Sequence, residues 1–120
     1  MGMIIGICGV RNFGRSFVEL FQRHPGVDEV VLADLDAELL AERAKQFGVR
    51  RTCASLDELC ASDVDAIGIF SQRWRHAPQA VLALEAGKHV LSAVPAAITL
   101  EELHELVDTV KTTGLTYMLA

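Results

Sequence analysis

Residues 3–14, MIIGICGVRNFG, join a short apolar run to a turn bounded by glycines. A segment with helical periodicity follows, and a second apolar run, residues 30–33, ends on Asp34. The order strand, tight turn, helix, strand and acidic residue is typical of a dinucleotide-binding unit. Main-chain N–H groups of the turn and the positive end of the helix favour a pyrophosphate, and the acid is spaced to accept hydrogen bonds from a ribose.

The turn departs from the G-x-G-x-x-G pattern at its centre, where Arg11 stands in place of glycine. Gly9 permits the tight turn, and Gly14 lets the helix pack close to the strand. Arg11 has two interpretations, because its side chain either obstructs a pyrophosphate or contacts it through the guanidinium. We predict nucleotide binding rather than a purely structural turn, with Asn12 and Phe13 also at the cofactor.

Asp34 sets the expected cofactor preference. A carboxylate at the end of the second strand accepts hydrogen bonds from both hydroxyls of the NAD ribose and repels the 2′-phosphate of NADP. The alternative is that Asp34 caps the next helix, but Asp36 is better placed for that role. We therefore expect NAD rather than NADP.

The composition limits the class of protein. The chain has 120 residues, enough for one domain, and 51% of them are apolar, with a mean hydropathy of +0.30. A parallel sheet covered on both faces needs near-continuous apolar strands, and a domain cut from a larger chain exposes apolar surface; we expect both explanations to apply. The net charge of −5 argues against general binding to nucleic acid or to anionic membranes. No apolar run approaches the roughly 20 residues of a membrane span.

Cysteines and histidines give no sign of a metal site. The three cysteines, Cys8, Cys53 and Cys60, include no C-x-x-C pair, and the four histidines are dispersed. We expect reduced cysteines rather than a disulfide or metal ligands, and no zinc site. The N-terminus passes directly into an apolar strand without the pattern of a signal peptide, so we expect a cytoplasmic protein.

Strand and helix patterns alternate along the whole chain. Strands are predicted at residues 3–8, 28–34, 50–53, 66–70, 89–91 and 115–119. Helices are predicted at residues 13–24, from Asp36 to Gly48, in a short segment opened by residues 55–58, at residues 74–86, and from Thr99 to Gly114. Two β-α-β-α-β halves imply an α/β doubly wound parallel sheet of the Rossmann type, with strand order 3-2-1-4-5-6 and three layers.

Apolar spacing within two of these helices predicts the faces that turn toward the sheet. In the first helix one face carries Phe13, Phe17, Leu20 and Phe21. In the last helix the residues expected to be buried are Leu103, Leu106, Val107 and Val110.

A polar segment, Ser71-Gln72-Arg73-Trp74-Arg75-His76, follows the fourth predicted strand. It lies at the carboxyl end of the sheet beside the switch point, where ligands bind in open α/β folds. Ser71 and Gln72 are candidates for hydrogen bonds to the cofactor, and Trp74 for packing on a ring. Alternatively, Arg73, Trp74 and Arg75 face a partner domain. His76 is a candidate either for contact and proton transfer at the ligand near pH 7 or for a structural role.

Four further segments carry a family resemblance over essentially all 120 residues. Val64–Ile67 is similar to an entry into the fourth strand, Ser71–His76 to a Thr-Pro-Asn-x-x-His segment, Ala86–Val90 to Ala-Gly-Lys-His-Val, and Ala93–Pro95 to Glu-Lys-Pro. With the glycine turn and Asp34, they identify the chain as similar to the glucose–fructose oxidoreductase / inositol dehydrogenase (Gfo/Idh/MocA) family. The resemblance implies the N-terminal NAD(P)-binding Rossmann domain of an oxidoreductase that acts on a sugar, cyclitol or related polyol.

The departures from the family pattern concern its chemistry. The family lysine, which contacts the nicotinamide ribose and the substrate hydroxyl, is Val94 here, the glutamate is Ala93, and the proline after the fourth strand is Gln72. Valine cannot orient a substrate alcohol or stabilise developing charge, so we expect no catalytic residue in this chain, with Ala93 retained as a cofactor contact. The resemblance also implies a C-terminal substrate domain that residues 1–120 do not include, and we expect a homo-oligomer.

Other functions stay open at this point. One is a dinucleotide-binding sensor or scaffold without redox turnover, which the absent lysine and glutamate favour. Another is an enzyme that uses NAD for a transient oxidation in order to cleave a glycosidic bond. A more distant alternative is a methyltransferase, because Asp34 could also bind the ribose of S-adenosylmethionine.

Overall fold

The structure, a computed structural model, describes residues 2–120. Its strands are β1 (Met3–Cys8), β2 (Val27–Ala33), β3 (Thr52–Cys53), β4 (Ala66–Ile69), β5 (His89–Ser92) and β6 (Tyr117–Leu119). Its α-helices are α1 (Asn12–Arg23), α2 (Ala37–Phe47), α3 (Leu56–Cys60), α4 (His76–Glu85) and α5 (Leu100–Thr113). A 3₁₀ turn, Arg73–Arg75, leads into α4.

The six strands form one parallel sheet in the order β3-β2-β1-β4-β5-β6, as predicted. The last residue of β1, Cys8, is paired with Ala33 on one side and with Ile69 on the other. Because the chain winds outward from β1 in both directions, the strand order reverses between β1 and β4. This reversal opens a crevice at the carboxyl edge of the sheet.

Helices cover both faces of the sheet and complete the three layers. On one face, Val18 of α1 and Leu40 of α2 pack against strand residues that include Ile7. On the other face, α3, α4 and α5 pack against β4 and β5, with Leu84 and Ile67 both completely buried. Burial on two faces explains why the strands are apolar along almost their whole length.

Several elements are shorter than predicted. β3 has two residues and β6 has three, where the sequence patterns cover residues 50–53 and 115–119. Both are outermost strands with a hydrogen-bonding neighbour on one side only, so their ladders are short. The helix predicted at residues 74–86 starts at His76, because residues 73–75 form the 3₁₀ turn.

Two predicted helix faces are only partly buried. In α1, Leu20 is exposed and Phe13 is 52% exposed. In α5, Leu106 is buried but Leu103 and Val107 are exposed. The apolar stripes are therefore wider than the surfaces that cover them.

Local signals for the helix starts are confirmed by the caps. Asp36 Oδ1 accepts a hydrogen bond from a main-chain N–H of α2 at 3.0 Å, and Ser55 Oγ accepts one from Glu58 N–H at 3.3 Å. Thr99 and Glu102 form a reciprocal capping box at α5, with Glu102 N–H donating to Thr99 Oγ1 at 3.1 Å. Each cap satisfies N–H groups that the helix itself leaves unpaired.

Within residues 2–120, no helix is both long and apolar enough to cross a membrane. In the same range no group of three or more His, Cys, Asp or Glu side chains is arranged to hold a metal ion. Cys8, Cys53 and Cys60 are free thiols.

Candidate functional site

The turn between β1 and α1 depends on two glycines. Gly9 has φ +94°, a conformation that residues with side chains rarely adopt, and a Cβ there would lie 2.7 Å from the carbonyl carbon of Phe70. A Cβ at Gly14 would overlap the carbonyl oxygen of Gly9. α1 therefore starts as close to β1 as the main chain permits, and the turn presents its main chain at the carboxyl edge of the sheet.

The start of α1 differs from the capped starts of α2, α3 and α5. Arg11 holds the position before the helix but its side chain makes no cap, and the first turn contains no acidic residue. The residues of the helix start itself thus leave the positive end of the helix dipole without a side-chain cap. Such a helix start suits an anionic group such as a pyrophosphate.

Asp34 is held in place at the end of β2. Its Oδ2 accepts a hydrogen bond from Val10 N–H at 3.0 Å, and its Oδ1 accepts one from Asp36 N–H at 2.8 Å. Arg43 Nε donates to the carbonyl oxygen of Val10 at 3.0 Å and so fixes the turn from the side of α2. Each carboxylate oxygen keeps a second lone pair, so the half-buried Asp34 can still accept from a ligand hydroxyl.

Arg11 lies at the rim of the turn rather than inside it. Its Nη2 is 3.8 Å from Asp36 Oδ2, and its side chain is 72% exposed. An exposed ion pair of this length is weak, so the guanidinium is free to leave Asp36 for a stronger anion. Of the two interpretations of Arg11, the geometry favours contact over obstruction.

A crevice of about 470 Å³ lies above the switch point. The residues around it come from the ends of β1, β2 and β4 and from the start of α4: Cys8, Gly9, Arg11, Asp34, Leu35, Asp36, Phe70, Ser71, Gln72, Arg75 and Gln79. A smaller space of about 190 Å³ adjoins it toward α3 and shares Asp34, Arg75 and Gln79 with it. Together they form an elongated groove along the carboxyl edge.

Cys8 lies at the floor of both spaces. Burial, with a smaller contribution from the charge of Asp34, raises the pKa of its thiol to about 12. The thiol is therefore protonated at neutral pH and acts as a small apolar contact rather than as a nucleophile.

The polar segment after β4 divides into two groups. Ser71 and Gln72 line the crevice, and Ser71 Oγ donates a hydrogen bond to Gln79 Oε1 on α4. Trp74 is 60% exposed and lies outside the crevice lining. His76 is 2% exposed, and its two ring nitrogens contact carbonyl oxygens of the chain, which leaves neither nitrogen for a ligand. The geometry thus supports the structural alternative for His76.

The turn after β5 offers no polar side chain. Ala93 is buried, its N–H donates to the carbonyl oxygen of Ile69 at 2.9 Å, and it does not line the crevice. Val94 is 63% exposed at the carboxyl edge, and the Val94–Pro95 peptide bond is cis. Valine has no exchangeable proton, so no proton transfer is available at this position.

Lys88, directly before β5, and His89, the first residue of β5, have structural contacts. Lys88 Nζ donates to the carbonyl oxygen of Ser62 at 2.8 Å, beyond the end of α3. His89 Nδ1 accepts a hydrogen bond from Thr116 N–H at 3.1 Å and ties β5 to the start of β6. Both side chains connect elements at the amino edge of the sheet, away from the crevice.

Of the ten residues predicted to contact the cofactor, the structure brings five to the crevice: Gly9, Arg11, Asp34, Ser71 and Gln72. Asn12, Phe13 and Gly14, in the first turn of α1, are not part of its lining, and neither are His76 and Ala93, which are buried. Phe13 packs edge-on against Phe70 at a ring-centroid distance of 5.6 Å, so it supports the crevice wall.

Four residues that line both spaces were not predicted to contact the cofactor: Cys8, Leu35, Arg75 and Gln79. Arg75 belongs to the polar segment after β4. It stands four residues before Gln79, which places the two on one side of a helix start. Two polar residues at this spacing, at the start of an otherwise apolar helix, indicate that one side of α4 faces solvent. This pattern is the sequence signal that could have identified them. Leu35 directly follows Asp34 and is exposed, but no sequence pattern identifies it as a residue of the site.

Comparison with known proteins identifies the family. The model of a family described as "Oxidoreductase family, NAD-binding Rossmann fold" (GFO_IDH_MocA) matches residues 3–120. A glycosyl hydrolase family 109 protein of Porphyromonas gingivalis is 36% identical over 119 residues, which cover 88% of this chain and 25% of that protein. A 1,5-anhydro-D-fructose reductase of Ensifer adhaerens is 32% identical over 111 residues, covering 92% of this chain and 33% of that protein.

A solved structure of an NAD-binding protein from Listeria innocua superposes with a TM-score of 0.89 at 29% identity, covering 99% of this chain and 35% of that one. The chain thus spans about a quarter to a third of the length of the relatives that it matches. From the glycine turn, the crevice at the switch point and the match over residues 3–120, the chain belongs to the Gfo/Idh/MocA oxidoreductase family, of which it forms the NAD-binding Rossmann domain.

Proposed function

We propose that this chain binds NAD in preference to NADP and serves as the cofactor half of an oxidoreductase acting on a sugar, cyclitol or related polyol. The observation that carries the proposal is the carboxylate of Asp34, held by Val10 N–H and Asp36 N–H at the mouth of the crevice. Each of its oxygens keeps a second lone pair, to which a ribose hydroxyl would donate. The same negative charge would repel a 2′-phosphate.

The remaining contacts follow from the crevice. The main chain at Gly9 and the uncapped start of α1 would hold the pyrophosphate, with Arg11 as an added cation. Ser71 and Gln72 would bond to the half of the cofactor on the β4 side, with Ala93 below it. When bound, the nicotinamide supplies the hydride acceptor or donor. The chain's own residues bind and orient it, and no side chain here replaces the family lysine at Val94.

The substrate class rests on the relatives. The reductase of Ensifer adhaerens acts, by its name, on a sugar derivative. We propose the same broad class here, and we propose that a second domain supplies the substrate contacts. The exposed apolar side chains at this edge, among them Val94, Ile98, Met118 and Leu119, support burial against that domain or against a second copy in a dimer. We place the protein in the cytoplasm, where its three free thiols stay reduced.

A second candidate is an NAD-dependent enzyme that cleaves a glycosidic bond. The relative from Porphyromonas gingivalis is named as a glycosyl hydrolase. In such an enzyme the cofactor is restored in each cycle, so substrate cleavage proceeds without accumulation of NADH. Cleavage of substrate without accumulation of NADH therefore distinguishes this enzyme from a dehydrogenase, which would accumulate NADH. If the full-length protein neither cleaves a glycosidic bond nor forms NADH, a sensor or scaffold is favoured.

The test of the cofactor proposal is calorimetric titration of the chain and its Asp34→Ala variant with NAD, NADP and S-adenosylmethionine. We expect the wild-type chain to bind NAD more tightly than NADP. In the variant, the difference between the two binding free energies should shrink by about 1–3 kcal/mol, because the carboxylate that accepts from the ribose and repels the 2′-phosphate is lost. Asp28→Ala is the matched control, since Asp28 lies on the same strand but binds Gly2 N–H at the other edge of the sheet. Equal wild-type affinities for NAD and NADP would refute the preference.

A further inference from the structure

His76 joins two loops that leave the sheet at its carboxyl edge. It is the first residue of α4 and is 2% exposed. Its Nε2 lies 2.8 Å from the carbonyl oxygen of Ser71, after β4, and its Nδ1 lies 2.9 Å from the carbonyl oxygen of Pro95, after β5. The imidazole therefore spans the space between the two loops, and the main chain on each side is its partner.

These contacts leave the ring no direct role at a ligand. Both nitrogens are at hydrogen-bond distance from carbonyl oxygens, and the residue is buried. A neutral imidazole carries one N–H, so it donates to one of the two carbonyls at a time. Replacing the ring by a side chain without these groups would leave at least one loop carbonyl unpaired, which is costly in a buried position.

One of the two loops lines the crevice, and the other follows the strand paired with β4. Ser71 and its neighbour Gln72 line the crevice, whereas Pro95 follows the exposed Val94. The other half of the crevice is held by Asp34 and the turn at Gly9, to which His76 makes no hydrogen bond. A dinucleotide that lies across a switch point puts its pyrophosphate at the first turn and its adenosine beside the acid after β2, so its second nucleoside lies on the β4–β5 side.

We propose that His76 is a positioning residue that sets the spacing between the loop after β4 and the turn after β5, and through them the seat of the nicotinamide half of the cofactor. The adenosine half does not depend on it. This inference rests on the proposed binding of NAD. The buried His76 side chain thus affects binding of the nicotinamide half of NAD and not binding of its adenosine half.

The test compares NAD with ADP, which lacks the nicotinamide nucleoside, as ligands of wild-type and His76→Ala protein. We expect His76→Ala to weaken NAD binding by about fivefold to tenfold, the cost of one buried hydrogen bond, and to change ADP binding by less than about twofold. His76→Asn keeps an amide near the Nδ1 position and His76→Gln keeps one near Nε2. We expect each to recover part of the NAD affinity, and both serve if the alanine variant does not fold.

Val81→Ala is the control for a general loss of core packing, because Val81 is buried on the same helix away from both loops. It should lower the melting temperature without changing the ratio of NAD to ADP affinity. Equal weakening of both ligands by His76→Asn and His76→Gln, or no weakening of either by any variant at position 76, overturns the positioning role. A wild-type chain that binds neither ligand overturns the proposed function, and the positioning role with it.

Discussion

The two halves of the crevice differ in the residues that build them. On the β1–β2 side, Gly9 and Asp34 form a polar seat whose geometry is set by main-chain hydrogen bonds. On the β4–β5 side, Ser71 and Gln72 line the crevice, whereas the turn after β5 presents Ala93 and Val94, which lie outside its lining and have no polar side-chain atom. The first half offers the groups that a phosphate and a ribose require, and Val94 in the turn after β5 has no exchangeable proton.

Gly14→Ala should have the largest effect, because it disrupts the turn that forms the β1–β2 half of the crevice. A Cβ at this position overlaps the carbonyl oxygen of Gly9, so α1 must move away from β1. We expect a loss of folding free energy of about 3 kcal/mol and no measurable NAD binding. Urea unfolding and calorimetry measure the two effects. Ser16→Ala, an exposed change on the same helix, is the control, and a Gly14→Ala protein that binds NAD normally would show that the close approach is dispensable.

Cys8, where the two halves meet, should give the folded chain a pH dependence. The thiol in the unfolded chain ionises near 9.0, whereas burial raises its folded pKa to about 12. The stabilisation is complete below pH 9 and falls as pH rises toward 12, with a slope of up to about 1.4 kcal/mol per unit.

Urea unfolding at several pH values measures this slope in wild-type and Cys8→Ala protein. We expect the variant to lose most of it. Cys60→Ala is the comparison, because Cys60 is only partly buried. An unchanged slope in Cys8→Ala would place the titrating group elsewhere, for example at Tyr117, whose pKa is also raised by burial.

Arg11→Gly restores the glycine of the full motif and tests whether Arg11 contacts or obstructs the pyrophosphate. If the guanidinium leaves Asp36 for the pyrophosphate, the variant should bind NAD more weakly by about 1 kcal/mol, the scale of an exposed charge-assisted contact. Arg15→Ala makes the same change in net charge on an exposed residue one turn along α1. Tighter binding by Arg11→Gly would instead indicate an obstructed turn.

Val94→Lys tests the second half and should have the smallest effect on binding. Val94 is 63% exposed, so the substitution should change stability by less than about 0.5 kcal/mol and NAD affinity by less than about twofold. We also expect neither wild-type nor variant chain to form NADH with inositol or glucose, since residues 2–120 form no closed substrate pocket. Absorbance at the NADH band tests this, and turnover by either protein would contradict it.

The sequence predicted most of the fold because its signals act over a few residues. The caps at Asp36 and Thr99, the glycine turn and the apolar strands each depend on neighbours within about four positions. Strand order followed from the alternation of elements and the handedness of crossovers. The predictions of burial fail at Leu20, Leu103 and Val107. Periodicity predicts which face of a helix is apolar, but the extent of the neighbouring elements decides how much of that face is buried.

The site divides in the same way. Asp34 follows a strand that the sequence identifies, and its place beside the glycine turn is a consequence of pairing β1 with β2. The sequence by itself therefore determined the family, the parallel sheet and the polar half of the crevice. Only the tertiary structure decided that His76 is buried between Ser71 and Pro95 and that Arg75 and Gln79 face the crevice. Those contacts join loops distant in sequence, and their geometry exists only once β4, β5 and α4 have packed together.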